Sequence, residues 1–354
     1  MSNKNYIIPL LVIVSIPFIV FSVSTLNLKT KLLASTVQIM PLNALKVAAI
    51  RIDTPINLDE PEIELNKIIK KIQTLIQDKW WLLPDLIVTP EYTLYPSIFP
   101  PNYSYPIKIS YDPINKIYNV APTQGAYSQK IINVIKYIQS IADNLNINFV
   151  LGTVPEIKYA AEDPRLGADV IFNTSLVIDT NGHIIGIKRK TKGSDWINSP
   201  SGLPLNEEYV YNLALDTTSP FTLRNRGGAA FKILSIICAE RNNTDLLERA
   251  KDFKVDILVN SEREGDCPYI ELAKTIQKGE NPSQYPCWNW MIRDVFIKEF
   301  ITNKDIIKEN GYFVAAEGGL KVSGIFNLKD PPLPLYFWSF TDDWVYGIFP
   351  LPSK

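Results

Sequence analysis

Three polar residues with chemically active side chains each follow an apolar, strand-like stretch of the sequence. Glu91 ends "LIVTPE", Lys190 ends "IIGIKRK" and Cys238 ends "ILSIIC". A thiol, an ammonium group and a carboxylate could together supply a nucleophile, a stabilising positive charge and a proton acceptor. Each also has a purely structural alternative, because turn carboxylates, solvated lysines and packed thiols are common in folded proteins.

A single histidine limits the kinds of catalysis that are open to this chain. His183 follows Asn181 and Gly182, the strongest hairpin-turn signal in the sequence, and we expect it to be exposed to solvent. Triads that depend on an imidazole base are therefore not expected. The three cysteines are too scattered for a zinc site, and the sequence contains neither glycine-rich nucleotide-binding motif. We expect no cofactor, and any base must be a carboxylate or a lysine.

Strand-like and helix-like segments alternate along the chain and predict how these residues are positioned. Segments 45–53 and 255–261 read as buried strands, whereas apolar residues recur at helical spacing in 59–80 and 125–146. A loop rich in Tyr and Pro is expected between 92 and 125. The pattern predicts an α/β domain with two sheets inside and helices outside. The ends of parallel strands meet at one edge of such a sheet, so residues distant in sequence can converge there.

The amino-terminal segment differs from the rest of the chain. Residues 6–26 form a run of 21 residues without a charge, which is long enough to cross a bilayer. We predict a membrane anchor in residues 1–30, a linker in 31–45 and a folded domain in 46–354, placed on the extracytoplasmic side. A cleaved signal peptide and a buried helix are the alternatives.

The net charge and the cysteine content limit which partners and which cysteine oxidation states we expect. The formal net charge of −1 gives no basic field, so a nucleic-acid partner is not expected. If the domain is exported, Cys267 and Cys287 could pair and leave Cys238 as a thiol. Three unpaired thiols are the default alternative.

Successive segments resemble the sequence blocks of the nitrilase superfamily of carbon–nitrogen hydrolases. These segments are "TPEY", "GTVPE", "FNTSLVIDTNGHIIGIKRK", "ILSIICAE" and "VDILVNS", and they occur in the order typical of that family. The resemblance extends from about residue 46 to about residue 328. It implies a four-layer α-β-β-α sandwich, a homodimer and a catalytic triad of Glu91, Lys190 and Cys238. Assigning the lysine to Lys188 or Lys192 would require a shifted register.

The resemblance also implies a mechanism that needs no histidine. Glu91 would accept the thiol proton, and the Cys238 thiolate would attack an amide or nitrile carbon. The Lys190 ammonium and the backbone N–H of Ala239 would stabilise the oxyanion. A small-molecule amide or nitrile is therefore the expected substrate.

Several positions depart from the family pattern. Ala239 stands where an aromatic residue is usual, "NNTD" replaces the usual Phe-Pro-Glu, and Lys192 stands where a histidine is frequent. The second glutamate of the family would have to be Glu207 or Glu208, further from the lysine than usual. An N-acyltransferase that uses the same thioester intermediate is one alternative function. A catalytically degenerate binding module is the other.

Overall fold

Within the described residues, the secondary structure includes two long helices, and its strands form two large sheets and one short ribbon. The computed structural model describes residues 44–52, 61–80, 82–91, 93–94, 106–123, 126–163, 166–191, 195–196, 205–206, 219–238, 240, 243, 245–246, 248, 251–263, 307–318, 323–327, 339–340 and 344–351. The helices are α1 (Pro61–Asp78) and α2 (Ala126–Leu145). The strands, in chain order, are β1 (Ala44–Ile50), β2 (Leu86–Val88), β3 (Ile107–Asp112), β4 (Ile117–Pro122), β5 (Asn148–Lys158), β6 (Val170–Ile178), β7 (Ile184–Arg189), β8 (Asp195–Trp196), β9 (Leu205–Asn206), β10 (Phe221–Arg224), β11 (Ala230–Ile237), β12 (Val255–Arg263), β13 (Ile307–Gly318), β14 (Gly324–Asn327), β15 (Ser339–Phe340) and β16 (Trp344–Pro350).

In the part of the chain that the structure describes, the first sheet has nine strands in the order β15-β16-β1-β2-β5-β3-β4-β7-β6, and β5 also pairs with β6. Within it β1, β2 and β5 are parallel, and α1 and α2 make the crossovers between them. The second sheet has the order β10-β11-β12-β13-β14, with β11, β12 and β13 parallel. Strands β8 and β9 form the separate ribbon. Each large sheet thus combines a parallel centre with antiparallel strands at its sides.

Strand β1 shows how the layers are stacked, because both of its faces are apolar and buried. Leu45, Val47 and Ala49 belong to a core cluster that they share with side chains of the second sheet. Ala48 and Ile50 belong to another cluster, shared with the apolar stripes of α1 and α2. The first sheet therefore lies between the helices and the second sheet, as the α-β-β-α prediction requires. The sequence also predicts a helix near 289–304, and this segment lies outside the described residues.

One predicted loop contains a hairpin instead. The Tyr- and Pro-rich segment after Glu91 was expected to be irregular, but its second half forms β3 and β4, which pair antiparallel. The Asp112 carboxylate accepts hydrogen bonds from the backbone N–H of Ile114 (2.9 Å) and of Asn115 (3.2 Å), which stabilises the turn. The prediction was wrong because the density of Tyr and Pro obscured the alternation of the two short strands.

The membrane prediction concerns a part of the chain that the structure does not describe. Within the described residues, no helix combines the length and the apolar character needed to cross a bilayer. The predicted anchor at residues 6–26 lies outside them.

Candidate active site

Glu91 is positioned by the turn that follows β2. Its side chain is only 2% exposed, and its backbone N–H donates to the carbonyl oxygen of Glu262 at 3.3 Å. The turn lies against β5, where the Gly152 N–H donates to Thr89 Oγ1 at 2.6 Å. A Cβ at position 152 would overlap the carbonyl group of Pro90, so glycine is required for this close approach. The carboxylate is thereby fixed at the carboxyl end of β2.

Lys190 contacts Glu91 directly. Lys190 follows β7, and its Nζ lies 2.7 Å from Glu91 Oε1, with both side chains almost completely buried. Asn173 Nδ2 donates to the same oxygen at 2.8 Å, and the Asn173 carbonyl accepts the Lys190 N–H at 2.9 Å. Strand β6 therefore positions both members of the pair. Burial of an ion pair contributes little net stability, so this arrangement points to function more than to folding.

The three consecutive basic residues 188–190, the basic run, are in a register that brings Lys190, rather than Lys188, to Glu91. Lys188 Nζ donates instead to Glu240 Oε1 at 2.8 Å. Lys192 lies outside the described residues. Because side chains alternate along a strand, Lys188 and Lys190 point to the same face of β7, and Arg189 points to the other.

Cys238 occupies the first position after β11. It is 3% exposed, it is not in a disulfide, and its φ of 46° places a non-glycine residue in the left-handed region. Its backbone N–H donates to Asn260 Oδ1 at 2.8 Å, and Asn260 Nδ2 donates to Glu262 Oε1 at 2.6 Å. A strained backbone of this kind persists only when the surrounding contacts hold it, and it often marks functional sites.

Shared hydrogen-bond partners connect the cysteine turn to the Glu91 turn. Glu262 accepts from Asn260 through its side chain and from the Glu91 N–H through its backbone carbonyl. Asn260 in turn accepts the Cys238 N–H. The ends of β2, β11 and β12 therefore meet, and the Glu91–Lys190 contact adds the end of β7. This is the convergence that the strand-end positions predicted.

The other residues named in the sequence analysis have different outcomes. His183 is exposed at the hairpin turn, as predicted, and Gly182 has the positive φ of 72° that this turn requires. Ala239, Glu207 and Glu208 lie outside the described residues, as do Cys267 and Cys287. Across the described ranges, no group of three or more His, Cys, Asp or Glu side chains could hold a metal ion.

Sequence reasoning missed the buried polar residues that position the candidate site. Asn173, Asn260 and Glu262 are each at most 2% exposed. Their signal in the sequence is a polar residue within or at the end of an otherwise apolar strand, since such a residue must find a buried partner. Asn260 follows "VDILV" just as Cys238 follows "ILSII". The two apolar segments are neighbouring parallel strands, and Asn260 accepts the Cys238 N–H just beyond the end of β11.

The family model for carbon–nitrogen hydrolases matches residues 46–294. The chain therefore belongs to the carbon–nitrogen hydrolase family, and the predicted membership of the nitrilase superfamily is confirmed. No curated protein sequence matches the chain.

Solved structures with a similar fold include members of the nitrilase superfamily. Nit3 from Saccharomyces cerevisiae, a member of branch 10 of the nitrilase superfamily, has 14% identity and a TM-score of 0.53, covering 88% of this chain and 92% of its own. A mutant amidase from Nesterenkonia sp. AN1 has 12% identity and a TM-score of 0.50, covering 88% and 92%. In that amidase the acetamide moiety of fluoroacetamide is covalently added to the active-site cysteine. At these identities the similarity shows the α/β fold alone.

Proposed function

We propose that this protein is a thiol hydrolase that cleaves a non-peptide carbon–nitrogen bond in an amide or nitrile. The observation that carries the proposal is the buried contact between Glu91 and Lys190, at the same junction of strand ends as the strained Cys238. A carboxylate in contact with an ammonium group, with a cysteine at the same junction of strand ends, suits covalent acyl transfer that needs no histidine. Membership of the carbon–nitrogen hydrolase family supports the same class of reaction.

In the first half of the proposed reaction Glu91 accepts the proton of the Cys238 thiol. The thiolate then attacks the amide carbon, forming a C–S bond as the carbonyl π electrons move to oxygen. The Lys190 ammonium and the Ala239 N–H stabilise this oxyanion. Glu91 returns its proton to the nitrogen, the C–N bond breaks, and an amine or ammonia leaves a thioester on Cys238.

In the second half Glu91 accepts a proton from a water molecule, which attacks the thioester carbon. The carboxylic acid leaves and the thiol is regenerated when Glu91 returns the proton to sulfur. The hydrogen bonds that Glu91 accepts from Lys190 and Asn173 keep its carboxylate oriented through both halves. One oxyanion donor contributes about 3–4 kcal/mol in related acyl-transfer sites, so we expect Lys190→Met to lower kcat roughly 10²–10³-fold.

A substrate panel with acid-quenched mass spectrometry tests the proposal. The protein is incubated with amides and nitriles, ammonia release is followed, and the intact mass is measured after rapid acid quench. We expect turnover with an acyl adduct on Cys238 in the wild type and neither turnover nor adduct in Cys238→Ser. Glu91→Gln should lose turnover as well. The matched control is Asn144→Ala, an exposed side chain on α2, which should retain full activity.

Two other outcomes identify the alternative functions. An adduct that is released only when an amine is added would identify an N-acyltransferase. A wild type that is as inert and unlabelled as Cys238→Ser and Glu91→Gln, although it is folded, would favour a degenerate binding module. Either result contradicts the hydrolase proposal.

We propose in addition that residues 6–26 anchor the domain to a membrane, with the domain on the extracytoplasmic side. The support is the run of 21 uncharged residues, because about 20 apolar residues suffice to span a bilayer as a helix. The full chain should resist extraction by alkaline carbonate and dissolve only in detergent, whereas a chain that starts at residue 43 should stay in the aqueous fraction. A full chain released by carbonate would contradict the anchor, and protease accessibility in sealed vesicles would determine the side.

A further inference from the structure

Glu240 carries a carboxylate that is fully buried beside the candidate site and accepts hydrogen bonds at both oxygens. Its Oε1 accepts from Lys188 Nζ at 2.8 Å, from the Thr191 N–H at 2.6 Å and from Thr191 Oγ1 at 2.6 Å. Its Oε2 accepts the Ile237 N–H at 2.8 Å. Such charge-assisted hydrogen bonds are about twice as strong as neutral ones.

These partners belong to the two segments that carry the ammonium group and the thiol. Lys188 and Thr191 lie on either side of Lys190 along the chain, and Ile237 immediately precedes Cys238. One carboxylate therefore joins the end of β7 to the end of β11. Its contact with Ile237 holds the residue before Cys238, whose left-handed backbone conformation needs support from surrounding contacts.

We propose that Glu240 is a positioning residue that fixes Lys190 and Cys238 relative to each other, with Lys188 as its buried counter-ion. This inference rests on the proposed function, since it assigns a role in that reaction. Glu240 does not touch the substrate; it acts through the two segments that it connects. Glutamate suits this position because only a carboxylate accepts from both segments at once. A glutamine has only one acceptor oxygen, so its NH₂ group would face the donors of one segment and the hydrogen bonds to that segment would be lost.

Lys188 makes the buried carboxylate compatible with a thiolate nearby. An uncompensated negative charge in the interior would disfavour a second one on sulfur, and the 2.8 Å contact with Lys188 neutralises it. The side chain of Arg189, on the opposite face of β7, pairs instead with Glu156 at 2.7 Å. Its backbone carbonyl accepts a hydrogen bond from Lys188 Nζ at 3.1 Å. Burial alone would lower the pKa of Arg189, but the hydrogen bonds and charge of Glu156 outweigh it and raise that pKa. The three residues of the basic run 188–190 thus pair with three separate carboxylates.

A double-mutant cycle separates positioning from a purely structural role. The full chain is prepared as wild type, Glu240→Gln, Lys190→Met and the double variant, and kcat and KM are measured for each. We expect Glu240→Gln to lower kcat about 10–100-fold with KM changed less than threefold, the effect of losing transition-state positioning. The double variant should lose little beyond Lys190→Met alone, because Glu240 fixes the Lys190 ammonium group relative to Cys238 and that alignment no longer matters once the ammonium group is gone. The proposal would be overturned if the fold-losses in kcat of the two single variants multiply in the double variant. It would also be overturned if the kcat of Glu240→Gln is within twofold of wild type.

A second readout keeps this test independent of amide turnover. The rate at which iodoacetamide alkylates Cys238 is measured by mass spectrometry in the same variants at pH 7. We expect Lys190→Met to slow alkylation at least fivefold in the wild-type background and less than twofold in the Glu240→Gln background. An effect of Lys190→Met that is equal in both backgrounds would refute the role of Glu240. If the wild type turned over no substrate, the hydrolase proposal would fail and this comparison would still decide the role of Glu240.

Two further variants distinguish a loss of positioning from a loss of folding. Asp85→Asn is the matched control, because Asp85 is a fully buried carboxylate paired with Lys46 at 3.3 Å at the opposite end of β2. It should lower the melting temperature without changing kcat. Thr191→Val removes one donor to Glu240 and keeps every charge, so it replaces Glu240→Gln in the cycle if that variant does not fold. We expect it to lower kcat about threefold to tenfold, with the same non-additivity toward Lys190→Met.

Discussion

At the scale of single residues, the structure gives Asn173 a role that the sequence analysis did not predict. It donates to the oxygen of Glu91 that also contacts Lys190, at 2.8 Å, and it is buried. A hydrogen bond to a charged group contributes about 1.5–3 kcal/mol, so we expect Asn173→Ala to lower kcat roughly 10–100-fold. Steady-state kinetics on the best amide of the panel measure this.

The control for Asn173→Ala is a variant that removes a hydrogen-bonding amide elsewhere. Gln139 Nε2 donates to the Gly182 carbonyl at 2.7 Å in the contact between α2 and the β6–β7 turn. Gln139→Ala should reduce stability and keep kcat. Asn173→Ala with a wild-type kcat would contradict the assigned orientation of Glu91.

At the scale of secondary-structure elements, Gly152 determines how closely the Glu91 turn approaches β5. A methyl group there would overlap the Pro90 carbonyl group and come within 2.8 Å of Thr93 Oγ1, so the backbone must move. Overpacking of this kind costs about 1–3 kcal/mol. We expect Gly152→Ala to lower stability by that amount and, because a displacement of about 1 Å can cost 10²-fold, to lower kcat at least 100-fold.

Urea unfolding and kinetics on the same preparation measure both effects of Gly152→Ala. The control is Gly228→Ala, at a turn with a positive φ of 83° and with open space around it. That variant should lose only about 1–2 kcal/mol of stability and keep its activity. A fully active Gly152→Ala would show that the Glu91 turn tolerates displacement.

The β3–β4 hairpin has a pH-dependent turn. The Asn115 side chain donates to Asp112 Oδ2 at 2.7 Å and, with two backbone N–H groups, holds the pKa of Asp112 below its ordinary value of 3.8. Because the folded-state pKa is the lower one, this stabilisation is complete above the unfolded-state pKa and is lost as pH falls through the folded-state pKa. The stability difference between wild type and Asp112→Asn should therefore shrink as pH is lowered from 6 to about 2.

Urea midpoints of wild type and Asp112→Asn across this pH range test the hairpin prediction. In Asn115→Ala the pKa of Asp112 should rise toward its ordinary value, and an NMR titration of the carboxyl carbon would follow it. A stability difference that does not change with pH would rule out the assigned role of the carboxylate.

At the scale of the whole molecule, β16 completes the first sheet from the far end of the chain. It pairs along all of β1, from Ala44 opposite Pro350 to Ile50 opposite Trp344. Trp344 and Tyr346 are buried in the core beneath the helices, and Tyr346 donates to the Leu82 carbonyl at 2.7 Å. Losing each such aromatic costs about 3–5 kcal/mol, against a total stability of about 5–15 kcal/mol.

We therefore expect a chain of residues 43–338, which lacks β15 and β16, not to fold, although it contains the whole segment matched by the family model. A chain of residues 43–351 should unfold cooperatively, as circular dichroism on heating would show. Cooperative unfolding of the shorter chain would contradict the structural role of β16.

Much of the fold was accessible from local sequence patterns. The helical spacing in 59–80 and 125–146 predicted α1 and α2 to within two residues, and Asn181-Gly182 predicted the β6–β7 hairpin. The short strands β3, β4 and β16 were not predicted. Their residues are apolar or aromatic in only part of an alternating pattern. Strand β16 depends in addition on pairing with β1 at the other end of the chain, whereas β3 and β4 pair mainly with each other.

The sequence by itself determined the residue types that could do chemistry here and the strand ends at which they stand. Family resemblance also assigned Cys238, Lys190 and Glu91 to a candidate triad, because the matching sequence blocks are local and occur in the family's order. Only the tertiary structure decided which partners they have. The contacts of Glu91 with Asn173, and of Glu240 with the segments around Lys190 and Cys238, join residues that are 49 or more positions apart, apart from the local bond to Ile237. Local spacing carries no information about such contacts, since the packing of two sheets creates them.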